Sequence, residues 1–212
     1  MPTKIKSPNI SIIIRKLNKQ YSKNKGIFDF NITFESGKLN LITGKNGSGK
    51  TTLLKCIMRL VNYQGKIERR KLKIGYAPEN YLMPEALTVN EFLISIGRVK
   101  GLSKIMYREK SFDFFELFNI KNYQHKLIRT LSNGTKQKVN LIQALIHNPK
   151  IIILDEPLVA LDYDSQLALI KYLREVAKTR LVIISTHRPE KFTSRNKVVY
   201  ELENGKLNAE FS

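Results

Sequence analysis

Several features are scarce or missing in the sequence, and each absence excludes a class of protein. Cys56 is the only cysteine, so an internal disulfide is excluded and a reducing compartment is expected. The chain has no run of about 18 apolar residues, so no membrane-spanning helix is expected. The apolar run near the N-terminus is too short for a signal-peptide core and lacks a small-residue cleavage site, so no signal peptide is expected.

Acidic residues are also scarce, with 18 against 37 lysines and arginines, which gives a net charge of +19. The excess is uneven, because residues 1–73 carry +14 of it. Such a charge suits binding to nucleic acid or to an anionic membrane surface. A lysine-rich solvated face explains it equally well, because the lysines are scattered and not interleaved with stacking aromatics. Charge alone leaves both interpretations open.

With 212 residues, of which 42% are hydrophobic, the chain is expected to form a single domain over residues 1–212. Two antiparallel strands are predicted over 9–15 and 28–34, joined by a polar turn over 20–26 that contains Tyr21. Later strands are predicted over 63–69, 73–77, 151–154, 181–185 and 198–202, with a hairpin turn at 204–205. Helices are predicted from a capping box at Thr88 and Glu91 to Gly101, and over 103–118, 132–147 and 164–177. A helical insert is therefore expected over about 83–131.

A glycine-rich turn follows the apolar run 39–42 and precedes a helical segment. Residues 44–51 fit the pattern G-x-x-x-x-G-K-[ST] at every position. Such a loop points backbone N–H groups inward, and the helix behind it adds its positive dipole end. Lys50 can reach the β- and γ-phosphates, and the Thr51 hydroxyl can ligate Mg²⁺. The loop is therefore expected to bind a nucleoside triphosphate, and an ordinary glycine-rich turn is the disfavoured alternative.

Polar side chains end two predicted buried strands. Asp155 and Glu156 follow the run 151–154, and ligands of parallel α/β sheets gather at that edge. One carboxylate can hold Mg²⁺ and its neighbour can orient a water that attacks the γ-phosphate, whereas the alternative is that both cap the next helix. His187 ends the run 181–185 and can donate to the γ-phosphate, although a lone histidine is more often structural.

The order of these motifs resembles that of the ABC (ATP-binding cassette) ATPases over nearly the whole chain. Ser132, Asn133 and Gly134, preceded by Leu131, are similar to the LSGGQ signature of that family. The other matching positions are Tyr21 for the adenine-stacking aromatic, 44–52 for Walker A, Glu79 for the Q-loop, Asp155 for Walker B, Glu156 for the catalytic glutamate, Asp162 for the D-loop and His187 for the switch histidine.

The resemblance implies an α/β fold of the P-loop NTPase (RecA-like) type: a parallel-sheet core with an N-terminal antiparallel β-subdomain and an α-helical subdomain. ATP and Mg²⁺ are the implied cofactors. Catalytic roles are implied for Lys50, Glu156 and His187. Contacts with Mg²⁺ are implied for Thr51, Glu79 and Asp155. Contacts with the nucleotide are implied for Tyr21, Asn46, Gly47, Ser48, Gly49, Lys50, Thr51, Thr52, Ser132, Gly134 and Asp162.

The family pattern also implies partners. Two cassettes, identical or different, dimerise head to tail around two ATP molecules, and Ser132 and Gly134 of one cap the γ-phosphate held by the other. Integral membrane transporter subunits are the second implied partner, which places the chain in the cytoplasm at the inner face of the cell membrane. The exposed apolar residues Tyr81, Leu82 and Met83 are candidates for that contact, and internal packing is the alternative.

Three positions depart from the family pattern. Glu79 replaces the usual glutamine, and the run Tyr76, Ala77, Pro78, Glu79 resembles a subset paired with exporter-type membrane subunits. Asn133 replaces a glycine and is expected to tolerate a positive φ. Thr135 replaces a glutamine, and no specific effect is predicted for it.

Two other functions remain possible on the sequence. A soluble ABC protein acting on ribosomes or nucleic acid would suit the charge, but such proteins usually carry two cassettes or a long coiled-coil insertion. This chain has neither, so nucleic acid is not expected as a partner. A low-turnover nucleotide-binding scaffold is suggested only by the departures at Glu79, Asn133 and Thr135.

Overall fold

The computed structural model describes residues 9–22 and 25–211, and they form a mixed α/β structure. The strands are β1 (Ser11–Ser22), β2 (Lys25–Glu35), β3 (Leu39–Thr43), β4 (Gln64–Arg69), β5 (Ile74–Ala77), β6 (Ile151–Asp155), β7 (Leu181–Ser185), β8 (Lys197–Glu203) and β9 (Lys206–Phe211). The helices are α1 (Lys50–Ile57), α2 (Val89–Val99), α3 (Lys104–Leu117), α4 (Asn133–Leu145) and α5 (Tyr163–Ala177). No helix within the described ranges has both the length and the apolarity needed to cross a membrane.

The central sheet has six strands in the order β5-β6-β7-β3-β8-β9. All neighbours are parallel except the edge strand β9, which pairs antiparallel with β8. Every residue of β6 and β7 is buried, which confirms the prediction of buried central strands. Because β3 lies beside β7, the loop after β3 meets the polar residues that follow β6 and β7 at one sheet edge.

Side chains of the central strands alternate between two apolar layers. On β6, Ile152 and Leu154 pack in one cluster with α4, α5 and the helical insert. Ile151 and Ile153 pack on the opposite face, in a cluster that contains α1 and the N-terminal strands. The sheet is therefore covered on both faces, as parallel sheets require.

The N-terminal strands form a separate antiparallel sheet in the order β2-β1-β4. The expected hairpin is present, but its strands extend through most of the predicted turn, and Tyr21 lies in β1. The pairing of β1 with β2 has register shifts near Asn18, and there two asparagine side chains take the place of backbone acceptors. The Asn18 side chain accepts from Asp29 N–H at 2.9 Å, and the Asn31 side chain accepts from Lys16 N–H at 2.8 Å. The rest of the predicted turn, at 23–24, lies outside the described residues.

Residues 83–131 contain both predicted helices, α2 and α3, and two short 3₁₀ turns. The predicted capping box is present, since Glu91 N–H donates to the Thr88 hydroxyl and Thr88 N–H donates to the Glu91 carboxylate. Leu93 of α2 and Phe115 of α3 are buried in the same cluster as α4 and α5. The insert is thereby packed against the central sheet from the side of α4.

Candidate functional site

A cleft of about 630 Å³ opens at the edge of the sheet where β3 and β6 end. It brings together most of the residues singled out in the sequence, namely Tyr21, Asn46, Gly47, Gly49, Lys50, Thr51, Thr52, Glu79, Glu156 and His187. Lys25, Lys45 and Val159 also line it. Lys45 lies within the predicted loop, whereas Lys25 was not predicted from the sequence. The charge of both lysines makes the cleft more attractive to a polyphosphate.

The glycine-rich loop is shaped by its surroundings as well as by its own residues. Gly44 has a φ of +144°, and a Cβ there would lie 2.2 Å from the Leu202 carbonyl oxygen, so no other residue fits. The Lys50 ammonium donates to the carbonyls of Gly44 and Lys45 at 2.8 and 3.3 Å. The lysine is thus folded back along the loop, at the position from which it can meet phosphate oxygens.

The start of α1 differs from that of the other four helices. Thr88, Ser103, Ser132 and Asp162 each cap a helix with a side-chain oxygen. In the described structure, no side chain caps α1, which begins after Gly49. Ser48 is buried and its hydroxyl has no hydrogen-bond partner among the described residues. The first N–H groups of α1 and this hydroxyl therefore suit a bound anion.

Asp155 is held at the end of β6 by a serine of the neighbouring strand. Its Oδ1 accepts a hydrogen bond from the Ser185 hydroxyl, and that hydroxyl in turn accepts from Glu156 N–H at 2.9 Å. Asp155 is only 1% exposed, and its Oδ2 lacks a hydrogen-bond partner within residues 9–22 and 25–211. Since a buried carboxylate oxygen is costly to leave unpaired, Oδ2 is suited to a cation or to its bound water.

Glu156 sits on a strained backbone beside the histidine. Its φ is +47°, a conformation that few residues with side chains adopt. Its Oε2 lies 2.9 Å from His187 Nδ1 and 3.4 Å from His187 N–H. The structure therefore joins the predicted catalytic carboxylate and the predicted switch histidine, and the histidine's Nε2 is left for another contact.

Glu79 completes a group of three carboxylates at the cleft. Burial raises the pKa of its carboxyl, and the negative charges of Asp155 and Glu156 raise it further. Within the described ranges, no three His, Cys, Asp or Glu side chains are grouped tightly enough to hold a metal alone. A Mg²⁺ ion here would need phosphate and water oxygens besides Asp155 and Thr51, which fits the coordination that Mg²⁺ prefers with nucleotides.

Tyr21 stands at the cleft's outer rim, and its side chain is 53% exposed. The Lys19 ammonium lies over its ring, 4.8 Å from the ring centroid. A base stacked on this ring would use the other face. Adenine stacking on Tyr21 stays a prediction.

Ser132, Gly134 and Asp162 do not line this cleft in the described structure. Ser132 caps α4, accepting from Thr135 N–H at 3.2 Å, and its hydroxyl lies 3.0 Å from the Thr135 hydroxyl. Asn133 is the first helical residue and does not have a positive φ, so the structure makes no use of the tolerance expected of this side chain. The helix begins directly after Ser132 and needs no left-handed residue.

The first turn of α4 packs closely against the segment before α5. A Cβ on Gly134 would lie 2.7 Å from the Ala160 carbonyl oxygen. Asp162 caps α5, and its carboxylate pairs with the Lys138 ammonium at 2.6 Å. The hydrogen bond from Lys138 is the main reason that the pKa of this aspartate falls to about 2. Ser185 and Lys138 are functional candidates that sequence reasoning missed, because their partners lie about 30 and 24 positions away.

The comparison with known families agrees with this geometry. The model of a family described as ABC transporter matches residues 27–159. The chain belongs to this family. The matched range includes the glycine-rich loop, Ser132, Gly134 and the paired carboxylates Asp155 and Glu156.

Curated relatives of the cassette have different stated roles. The Uncharacterized ABC transporter ATP-binding protein YxlF of Bacillus subtilis is 34% identical over 82% of this chain and 61% of its own length. The Lipopolysaccharide export system ATP-binding protein LptB of Haemophilus influenzae is 33% identical over 81% of this chain and 78% of its own length. The Phosphonates import ATP-binding protein PhnC of Treponema denticola is 27% identical over 92% of this chain and 86% of its own length. The chain spans less than two thirds of YxlF and of several other relatives.

Among solved structures, the dimeric structure of MJ0796, a bacterial ABC transporter cassette, matches with a TM-score of 0.84 at 22% identity. The match covers 94% of this chain and 97% of that one. The same cassette is also described in a post-hydrolysis state bound to ADP and Pi. At this identity the likeness shows the fold, which is that of P-loop ABC ATPase cassettes.

Proposed function

We propose that this chain binds and hydrolyses ATP as the nucleotide-binding subunit of an ABC transporter that exports its substrate through separate membrane subunits. The observation that carries the proposal is the convergence of Lys50, Thr51 and Glu156 in one cleft beside the uncapped start of α1. Such a cleft offers N–H groups and an ammonium to the phosphates, together with a carboxylate for an attacking water.

Each residue of the cleft has a separate role in the proposed hydrolysis. On binding ATP, Lys50 exchanges the carbonyls of Gly44 and Lys45 for phosphate oxygens. Glu156 orients the attacking water and accepts its proton, while His187 holds the Glu156 carboxylate through Nδ1. When bound, Mg²⁺ would be held by Thr51 and Asp155, with Glu79 nearby, and would supply positive charge beside the phosphates.

A second cassette completes the site in this proposal. Ser132 and Gly134 lie outside the cleft of their own chain, so their expected contact with a γ-phosphate requires another copy or a related cassette. The dimeric structure of MJ0796 supports this arrangement, since that cassette has the same fold. ATP then joins the two surfaces, and its hydrolysis releases them, which is a ligand-biased two-state switch.

The proposed contact with the membrane subunits is the helical insert together with residues 79–82, which lead into it. The cassette is accordingly placed at the cytoplasmic face of the membrane. Of the three predicted contact residues, Leu82 is fully exposed, whereas Tyr81 and Met83 are half-buried and Met83 packs against the core. Other exposed apolar side chains of the insert are Val99, Ile105, Met106 and Phe112. The run that ends in Glu79 and the name of LptB support export, while the name of PhnC states import for that relative.

ATP hydrolysis by the purified chain, measured with Mg²⁺ as a function of protein concentration, tests the enzymatic part. The specific rate should rise with concentration, because two copies complete the site. Glu156→Gln should abolish turnover and retain ATP binding, since the amide cannot accept the proton of the water. A wild-type rate equal to that of Glu156→Gln at every concentration would show that this chain alone is not a competent ATPase.

Membrane recovery of the tagged chain from its own cells tests the transport part. Leu82→Asp should lower the membrane-bound fraction, because it places a charge on the proposed apolar contact. Leu60→Asp is the matched control, since Leu60 is 60% exposed and lies outside the insert. Equal recovery of both variants, or a wild-type chain that never sediments with membranes, contradicts the proposed contact.

A further inference from the structure

Three side-chain amides form a row along one face of α4. Gln137, Asn140 and Gln143 are spaced three residues apart, so successive turns bring them together. The Gln143 amide donates to Asn140 Oδ1 at 3.4 Å, and the Asn140 amide donates to Gln137 Oε1 at 3.3 Å. Gln137 and Asn140 are 4% and 1% exposed, so these polar groups are sealed from water.

Each amide of the row also holds a backbone carbonyl of another segment. Asn140 donates to the Pro78 carbonyl at 2.9 Å, and Gln137 donates to the Pro157 carbonyl at 3.2 Å. Gln143 donates to the carbonyl of Tyr76 at 2.8 Å, within β5. A side-chain amide carries two N–H hydrogens, and Asn140 and Gln143 each donate one to the next amide of the row and the other to a backbone carbonyl.

Two of these carbonyls adjoin the carboxylates of the nucleotide cleft. Pro78 directly precedes Glu79, and Pro157 directly follows Glu156. Proline has no N–H, so neither segment can be anchored by a backbone donor at that residue. The side-chain amides of α4 supply an anchor at each of these points, in a buried environment where hydrogen bonds are strong.

We propose that Gln137 and Asn140 are positioning residues for ATP hydrolysis, which fix the segments of Glu156 and Glu79 against one helix. That helix begins at Ser132, so the row also ties both segments to the end of α4 expected to meet the second cassette. A shift of α4 during dimerisation would move both carboxylates together. This inference rests on the proposed ATPase function.

The test compares two shape-conserving variants in the ATPase assay. Asn140→Leu removes the bonds to Pro78 and Gln137, and its kcat should fall about tenfold or more, because small misplacements of reacting groups cost rate steeply. The KM for ATP should stay within about threefold, since the phosphate loop is untouched. Gln143→Met is the matched control. It loses the bond to the Tyr76 carbonyl, which is already held in a strand, and the 3.4 Å bond to Asn140 Oδ1, but it leaves the Asn140 bond to Pro78 in place. It should keep kcat within about twofold of wild type.

A fluorescent reporter tests the same inference without turnover, so that failure of the proposed function is distinguishable. The chain has no tryptophan, and the fully exposed Leu82 lies three residues after Glu79, so Leu82→Trp reports on that segment. Asn140→Leu should lower the anisotropy of this tryptophan, and Gln143→Met should leave it unchanged. The inference is overturned if the two variants change kcat and anisotropy equally, or if Asn140→Leu changes neither.

Discussion

Ser185→Ala removes one hydroxyl that bonds both the Asp155 carboxylate and the backbone N–H of Glu156. In the structure this hydroxyl donates to Asp155 and accepts from Glu156 N–H at 2.9 Å. Alanine leaves the carboxylate of Asp155, a residue that is 1% exposed, without its only hydrogen bond in the described residues. The N–H of Glu156 keeps a longer bond to the Ser185 carbonyl at 3.2 Å.

The expected loss of stability follows from the charge of the orphaned partner. A hydrogen bond to a buried ionised group is worth about 1.5–3 kcal/mol, and a neutral one about 1 kcal/mol. We therefore expect Ser185→Ala to lower the free energy of unfolding by about 2–3 kcal/mol. For a chain of this size, that corresponds to a fall in Tm of about 4–12 °C.

Urea unfolding and thermal melts of nucleotide-free protein measure this loss, with Ser111→Ala as the matched control. Ser111 is 6% exposed, and its hydroxyl donates to the Arg108 carbonyl of its own helix at 3.1 Å and bonds no carboxylate among the described residues. Its loss should cost at most about 1 kcal/mol. If Ser185→Ala is no more destabilising than Ser111→Ala, then Ser185 does not support the carboxylates and the reasoning is refuted.

Three further predictions concern single side chains. Because burial and two neighbouring carboxylates raise the pKa of Glu79 above 4.5, its ionised form costs stability at pH 7, so Glu79→Gln should raise Tm in Mg²⁺-free buffer. This gain should fade as the pH falls through 4.5 and vanish well below it, where folded and unfolded Glu79 are both protonated. A gain that persists there contradicts the assignment. Gly134→Ala should cost about 1–3 kcal/mol in urea unfolding, since its Cβ would meet the Ala160 carbonyl oxygen at 2.7 Å. An unchanged midpoint would show that the start of α4 and the Ala160 segment can separate freely. Burial raises the pKa of Cys56 to about 11, so this thiol should react with a disulfide reagent at pH 8 only after denaturation, and rapid native labelling would disagree.

Local features were predicted well from the sequence. The Asn204-Gly205 hairpin needs a positive φ at both residues, and the structure has +48° and +77° there. The capping box at Thr88 depends on residues three positions apart, and it is present as predicted. The extent of β1 was predicted less well, because its pairing with β4 and the bulges beside Asn18 decide where the strand ends.

By itself, the sequence determined which residues are candidates for the chemistry: the glycine-rich loop with Lys50 and Thr51, the paired carboxylates, and the histidine after β7. These features are short-range, because turn geometry and helix starts depend on neighbouring residues. Only the tertiary structure decided that Ser185 supports Asp155, that Lys138 pairs with Asp162, and that the amides of α4 hold Pro78 and Pro157. Those contacts join segments distant in the chain, and the order of strands in the parallel sheet, which no local pattern encodes, brings them together.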